Sequence, residues 1–252
     1  MAGKNSGLKE KLDTLRVPVF ILWIVFSTVL YGVICIMSRP FSIKAARFVA
    51  RLWNLHLLAI GGVRVKVSGA EKLDRSKRYV FISNHQSALD IPVIFAGLTH
   101  PISFIAKKEL FMIPFFGWGI AALGHIWIDR SNARKAKASI DRAVRHLQKG
   151  NISLILFPEG TRSEDGKVGE FKQASFTLAI QAGVQVVPVA IRNACSLLPK
   201  KSAKIRTGTV YLDILQPLDV TKETTKTELC GRVYEIIKEQ VEGNLNEFSV
   251  AV

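Results

Sequence analysis

Residues 79–98 read YVFISNHQSALDIPVIFAGL, and the fold is decided here. Tyr79 to Ser83 is a short apolar run with the look of a strand. A polar loop, Asn84 to Gln86, follows it. Ser87 to Leu98 then reads as a helix, with Ser87 and Asp90 suited to its first turn. Strand, loop and helix in this order are half of a βαβ unit. The loop of such a unit lies at the sheet edge where ligands bind in open α/β folds.

The same alternation extends in both directions. Strands are expected at 63–67, 102–106, 126–129, 153–157, 186–191 and 210–215, and helices at 133–149, 172–181 and 225–241. Gly183 is placed to cap the second of these helices. The expectation is an α/β domain, a mixed sheet covered by helices, over residues 61–252. No internal repeat or linker divides it.

Residues 1–60 are a separate segment. Val17 to Met37 carries no charged residue, and ~21 positions at ~1.5 Å each match the thickness of a bilayer's hydrocarbon core. Ser38-Arg39-Pro40-Phe41 follows in place of a small-residue cleavage site, so a retained anchor is expected. Lysines and arginines flank both ends, leaving open whether the segment spans or dips into one leaflet. Residues 41–58 have helical periodicity, with Ala45, Phe48, Val49, Leu52 and Trp53 on one face and Lys44, Arg47 and Arg51 on another. A basic amphipathic helix of this kind lies in the headgroup region or packs on the domain.

Whole-chain numbers agree with a membrane setting. Over 252 residues the mean hydropathy is +0.22, the net charge +15 and the pI about 9.9. That charge attracts an anionic membrane, phosphorylated substrates or nucleic acid. A nucleic-acid partner is not expected, because no recognised binding motif is present and an anchor is. Cys35, Cys195 and Cys230 match no zinc or redox spacing and read as structural. No metal or cofactor is expected.

Chemistry concentrates at strand ends. His85 in the loop and Asp90 five residues on let a carboxylate hold one ring nitrogen while the other accepts a proton from an alcohol. Pro158-Glu159-Gly160-Thr161-Arg162-Ser163 follows the strand at 153–157, where Arg162 offers a donor fork suited to phosphate. Lys107-Lys108-Glu109 precedes an apolar block ending at Gly117-Trp118. That block fits an acyl-chain wall, core or a second membrane contact. Asp129-Arg130 ends another strand and supplies a further candidate phosphate ligand.

These blocks, in this order, resemble the glycerophospholipid acyltransferase family, most closely its 1-acylglycerol-3-phosphate acyltransferase branch. Asn84-His85 with Asp90 resembles the first motif. Lys107-x-Glu109-Leu110 through Trp118, closing at Ile128-Asp129-Arg130, resembles the second. Phe157 to Ser163 resembles the third, and Val187-Pro188-Val189-Ala190 the fourth. Ala174 stands where the family often has glycine. The resemblance implies His85 as general base, Asp90 as its orienting partner, and Lys107, Arg130 and Arg162 on the acceptor's phosphate. It implies Glu159, Gly160 and Thr161 shaping that pocket, and Pro188 on a strand lining the acyl side. The implied reaction moves an acyl group from acyl-CoA or acyl carrier protein to the sn-2 hydroxyl of lysophosphatidate. The expected site is the cytoplasmic membrane, with chemistry at its cytoplasmic face. Acylation of glycerol-3-phosphate or another lysolipid, and a basic membrane-binding protein without catalysis, are the alternatives.

Overall fold

Continuous β-branched runs such as Val186–Arg192, buried at every position, form strands only where helices cover both faces, and the sheet is built on them. The computed structural model describes residues 2–128, 133–149 and 152–243. The strands are β1 (Val63–Ser68), β2 (Val80–Ser83), β3 (Ile102–Lys107), β4 (Ile126–Ile128), β5 (Ser153–Leu156), β6 (Val186–Arg192) and β7 (Gly208–Ile214). They lie in the order β1-β7-β6-β2-β5-β3-β4, parallel throughout except that β6 and β7 run antiparallel. The mixed α/β sheet expected from the sequence is therefore the observed one.

The helices are α1 (Ala2–Ser38), α2 (Ile43–Ile60), α3 (Asp90–Gly97), α4 (Phe116–Ala122), α5 (Ala133–Lys149), α6 (Thr177–Ala182), α7 (Ala194–Leu197) and α8 (Lys226–Glu242). One core cluster joins α3 and the end of α2 to Phe81, Phe104, Ile155 and Val189. The other joins α5, α6 and α8 to Val80, Ile82, Leu154 and Ala190. Neighbouring strand residues thus alternate between two covered faces.

Boundaries differ from the sequence reading where local polar groups intervene. The helix expected from Ser87 begins at Asp90, because the Asp90 carboxylate takes the amide protons of Gln86 and Ser87 and holds them in a loop. The helix expected at 172–181 opens with a 3-10 turn at Gln173–Phe176 and ends at Gly183, which takes the left-handed cap (φ 62°). Residue 129, expected to end β4, lies outside the described residues. The apolar block at 110–118 is a 3-10 turn, Lys108–Met112, followed by α4.

The apolar helices at the amino terminus form a pair. Ile21–Ser38 of α1 is long and apolar enough to cross a membrane by length and composition. Its later part packs on α4, where Gly32 removes a side chain whose Cβ would meet the Phe115 carbonyl oxygen at 2.9 Å. The apolar face of α2 read from the sequence is largely its outer face. Its buried residues are Ala46, Ala50, Asn54 and Leu58, while Ala45, Phe48 and Leu52 point outward. Small residues let helices approach closely, and large apolar ones are left to face lipid. The outer surface carries Leu22, Phe26, Met37, Phe41 and Phe48, continued by Met112 and Trp118.

Candidate active site

Parallel β2, β3 and β5 end at one edge of the sheet, and each delivers a polar side chain there. β2 runs into His85, β3 ends on Lys107, and β5 leads to Glu159. Convergence at strand ends, expected from the sequence, is realised for these residues. Arg130 lies outside the described residues.

The loop carrying His85 is held on all sides. Asn84 plugs into β6 with two bonds: its Nδ2 donates to the Ile191 carbonyl at 2.9 Å, and its Oδ1 accepts from the Ile191 amide at 2.8 Å. The His85 amide donates to Glu159 Oε1 at 2.9 Å, and the His85 carbonyl accepts from the Ser163 amide at 2.8 Å. Gln86 Nε2 donates to the Gly166 carbonyl at 2.6 Å. Both backbone polar groups of His85 are thus fixed by the third motif.

That side chain is paired. His85 Nδ1 lies 2.6 Å from Asp90 Oδ2, the same oxygen that accepts the Gln86 and Ser87 amides at 2.7 and 2.9 Å. Asp90 is fully buried, and all three donors meet its Oδ2 while Oδ1 has no hydrogen-bond partner. With Nδ1 donating, Nε2 is the acceptor nitrogen. The ring stacks on Phe157, centroids 4.2 Å apart, which fixes its plane.

His85 lines a cavity of about 480 Å³. Phe104, Leu110, Ile140, Leu156 and Leu178 make its apolar walls, with Lys107, Lys172 and Gly160 as further lining. Gly160 sits at φ 73°, a left-handed turn a side chain would strain. On the far side of the 158–163 loop is an open groove of about 1110 Å³ lined by Glu159, Thr161, Arg162, Lys167 and Lys172. The structure therefore divides the residues grouped from the sequence. Lys107 and Gly160 share the His85 cavity, whereas Thr161 and Arg162 line the neighbouring groove, and Lys172 borders both. Pro188 is buried within β6, paired with Ile82, and is not among the residues lining the cavity.

Glu159 is 7% exposed, and burial pushes its carboxyl up to about 7 against the lowering effect of the His85 and Gly169 amides. It is a support of the His85 loop as well as a groove residue. Sequence reasoning missed Lys172 and Phe157 as site residues. Phe157 opens the third quoted block and Lys172 starts the helix expected at 172–181, but nothing in the spacing says that Phe157 turns under the imidazole or that Lys172 borders the cavity. Among the described residues no three His, Cys, Asp or Glu side chains gather as a metal site would require.

A buried carboxylate, an oriented imidazole and an apolar cavity with a cation at its border can deprotonate an amphiphilic alcohol. Comparisons with known proteins point the same way. A family model described as Acyltransferase matches residues 64–192. A chloroplastic 1-acyl-sn-glycerol-3-phosphate acyltransferase of Arabidopsis thaliana is 33% identical over 209 residues, covering 82% of this chain and 57% of the relative. The 1-acyl-sn-glycerol-3-phosphate acyltransferase of Saccharomyces cerevisiae is 34% identical, covering 74% of this chain and 61% of its own length. That of Salmonella typhimurium is 31% identical, covering 77% and 81%. The chain thus spans about three-fifths of the length of the plant and yeast relatives. The crystal structure of the 1-acyl-sn-glycerophosphate acyltransferase of Thermotoga maritima superposes with a TM-score of 0.80 at 30% identity, covering 92% of this chain and 97% of that one.

Proposed function

The chain belongs to the acyltransferase family, and from that premise we propose that it acylates the sn-2 hydroxyl of 1-acylglycerol-3-phosphate to give phosphatidate. The donor is a thioester, acyl-CoA or acyl carrier protein. The observation that carries the reading is the 2.6 Å contact between His85 Nδ1 and Asp90 Oδ2 in an apolar cavity bordered by Lys107.

His85 Nε2 takes the proton of the acceptor hydroxyl. The alkoxide attacks the thioester carbonyl, a tetrahedral intermediate forms, and its collapse breaks the carbon–sulfur bond. The imidazolium gives its proton to the departing thiolate, which returns His85 to its starting state. Asp90 holds the tautomer and stabilises the imidazolium. Lys107, Arg130 and Arg162 hold the acceptor's phosphate, with Glu159, Gly160 and Thr161 shaping the turn between the two cavities. General-base assistance contributes about 10²–10⁴-fold, and positioning of the phosphate adds to it. No cofactor is required by this chemistry.

The same reading attaches the protein to a bilayer through residues 1–60, with residues 61–252 as the catalytic part. The outward Phe26, Met37, Phe41, Phe48 and Trp118 support this. The active site then faces the cytoplasmic side of the cytoplasmic membrane.

The test offers labelled lysophosphatidate and glycerol-3-phosphate, with acyl-CoA or acyl carrier protein, to membranes holding the parent or His85→Ala. Phosphatidate formation lost by several orders of magnitude in the variant is expected. Acylation of glycerol-3-phosphate alone would move the acceptor and keep the chemistry. Equal activity of parent and variant would end the assignment of His85.

A further inference from the structure

Away from the catalytic edge, basic side chains from the end of α1, from α2 and from α5 converge on the turn 122–125, which carries His125 itself and lies just before β4. Arg39, at the end of α1, donates from Nε to the Ala122 carbonyl at 2.9 Å. Ala46 and Ala50 of α2 pack with Leu123, which brings the intervening Arg47 beside the turn. The ring of His146, from α5, lies against Gly124, where a built Cβ would meet it at 3.7 Å. His125 itself accepts the Phe104 amide through Nδ1 at 3.1 Å, so Nε2 carries its proton.

The two arginines are not balanced by acids. Neither forms an ion pair or hydrogen bond with a carboxylate among the described residues. Arg47 Nε is buried with no hydrogen-bond partner. Burial and the nearby Arg39 lower the Arg47 guanidinium, and burial and Arg47 lower His125 and His146. A partly buried arginine without a partner is costly, and an anion removes that cost. Arg51, one turn further along α2, shows the contrast: its Nη2 is satisfied by the Ala96 carbonyl at 2.9 Å.

We propose that Arg39 and Arg47, over the turn 122–125, form a site for the phosphate of an anionic phospholipid headgroup, distinct from the catalytic cavity. The surroundings identify the occupant as a lipid. Phe41 is 90% exposed and Phe48 61% exposed, on the same α1–α2 pair that presents Leu22, Phe26 and Met37 outward. A phosphate held at the arginines leaves its acyl chains beside that apolar surface. A cation near an anionic membrane surface is worth about a fivefold change in binding, so two acting together are worth roughly 25-fold. The site rests on the membrane attachment argued above and not on acyl transfer.

The experiment measures binding of the full chain to phosphatidylcholine vesicles with and without phosphatidylglycerol. The proteins compared are the parent, Arg39→Gln, Arg47→Gln, Arg47→Lys and a control pair, Lys77→Gln with Lys222→Gln, both exposed and outside α1, α2 and the turn 122–125. The expected result is that each arginine-to-glutamine variant loses about fivefold of the preference for phosphatidylglycerol, that Arg47→Lys keeps most of it, and that the control pair keeps it. Arg39 is exposed, so its variant remains informative if Arg47→Gln is poorly folded. An equal loss in the control pair would reduce the effect to general surface charge and overturn the site. A gain in melting temperature with inorganic phosphate in detergent, without any vesicle preference, would overturn the lipid source. Failure of the parent to bind either vesicle would overturn the membrane attachment, and the site with it.

Discussion

His85 is constrained at its backbone by Glu159 and Ser163 and at its ring by Asp90 and Phe157, so substitutions around it separate by what they disturb. Asp90→Asn keeps the volume but no longer compels Nδ1 to carry the proton. A fall in kcat of about 10²–10⁴ with KM little changed is expected, read from steady-state kinetics at saturating donor. Glu159 yields a stability prediction with a definite sign. Its folded value, about 7, is raised by burial above the unfolded carboxyl value of 4.5, so folding takes up a proton between them. Stability from this group is full below the unfolded value and is lost as the pH rises through about 7. Denaturant unfolding should show the parent losing about 1–3 kcal/mol between pH 5 and 8 relative to Glu159→Gln. A parent and variant that stay parallel over this range would disprove the assignment. Spacing made His85 and Asp90 a candidate pair, because a loop and the first turn of a helix are close neighbours, and the resemblance of the ordered motifs singled it out. The role of Glu159 was not legible, since its contact spans 74 residues and depends on β2 and β5 pairing side by side.

Elements were legible wherever burial was two-sided. Runs such as 186–191 have one stable solution, a central strand, and the structure supplies it. The α2 helix was found at its place, but which of its faces turns to protein was not legible, for a physical reason. Periodicity marks an apolar face without saying whether protein or lipid covers it, and here the small residues Ala46 and Ala50 face protein. α4 was not separated from its apolar block, because it is only Phe116–Ala122 and follows Phe115, which holds a left-handed φ of 61°. The outward position of Phe48 predicts an outcome. Phe48→Asp, on the 61% exposed position, should leave unfolding in detergent within about 0.5 kcal/mol of the parent while releasing protein from washed membranes. The equivalent change at Ala50, packed in the α1–α2 contact, should lower stability in detergent by about 2 kcal/mol or more, by burying an unpaired charge.

At the scale of the whole molecule, three surfaces divide the work: an apolar outer face on α1 and α2, an apolar cavity at His85, and a polar groove across the 158–163 loop. The edge of the sheet was legible because four candidate clusters fell at strand ends. The division between cavity and groove was not, since one loop forms the wall of both and its sequence does not say which way each side chain turns. Lys107 opens onto the cavity and Arg162 onto the groove, yet both are assigned to one phosphate, which must then sit at the shared wall where Lys172 borders both spaces. That arrangement has a kinetic signature. Lys107→Gln and Arg162→Gln should each raise KM for lysophosphatidate about tenfold, as loss of a charge-assisted bond to phosphate does, with the donor's KM unchanged within about twofold. Because both act on one group, the double variant should fall short of the product of the single effects. If Arg162→Gln instead raises the donor's KM and spares the acceptor's, the groove belongs to the thioester's polar portion, and Lys107 is left as the acceptor's cation at the cavity.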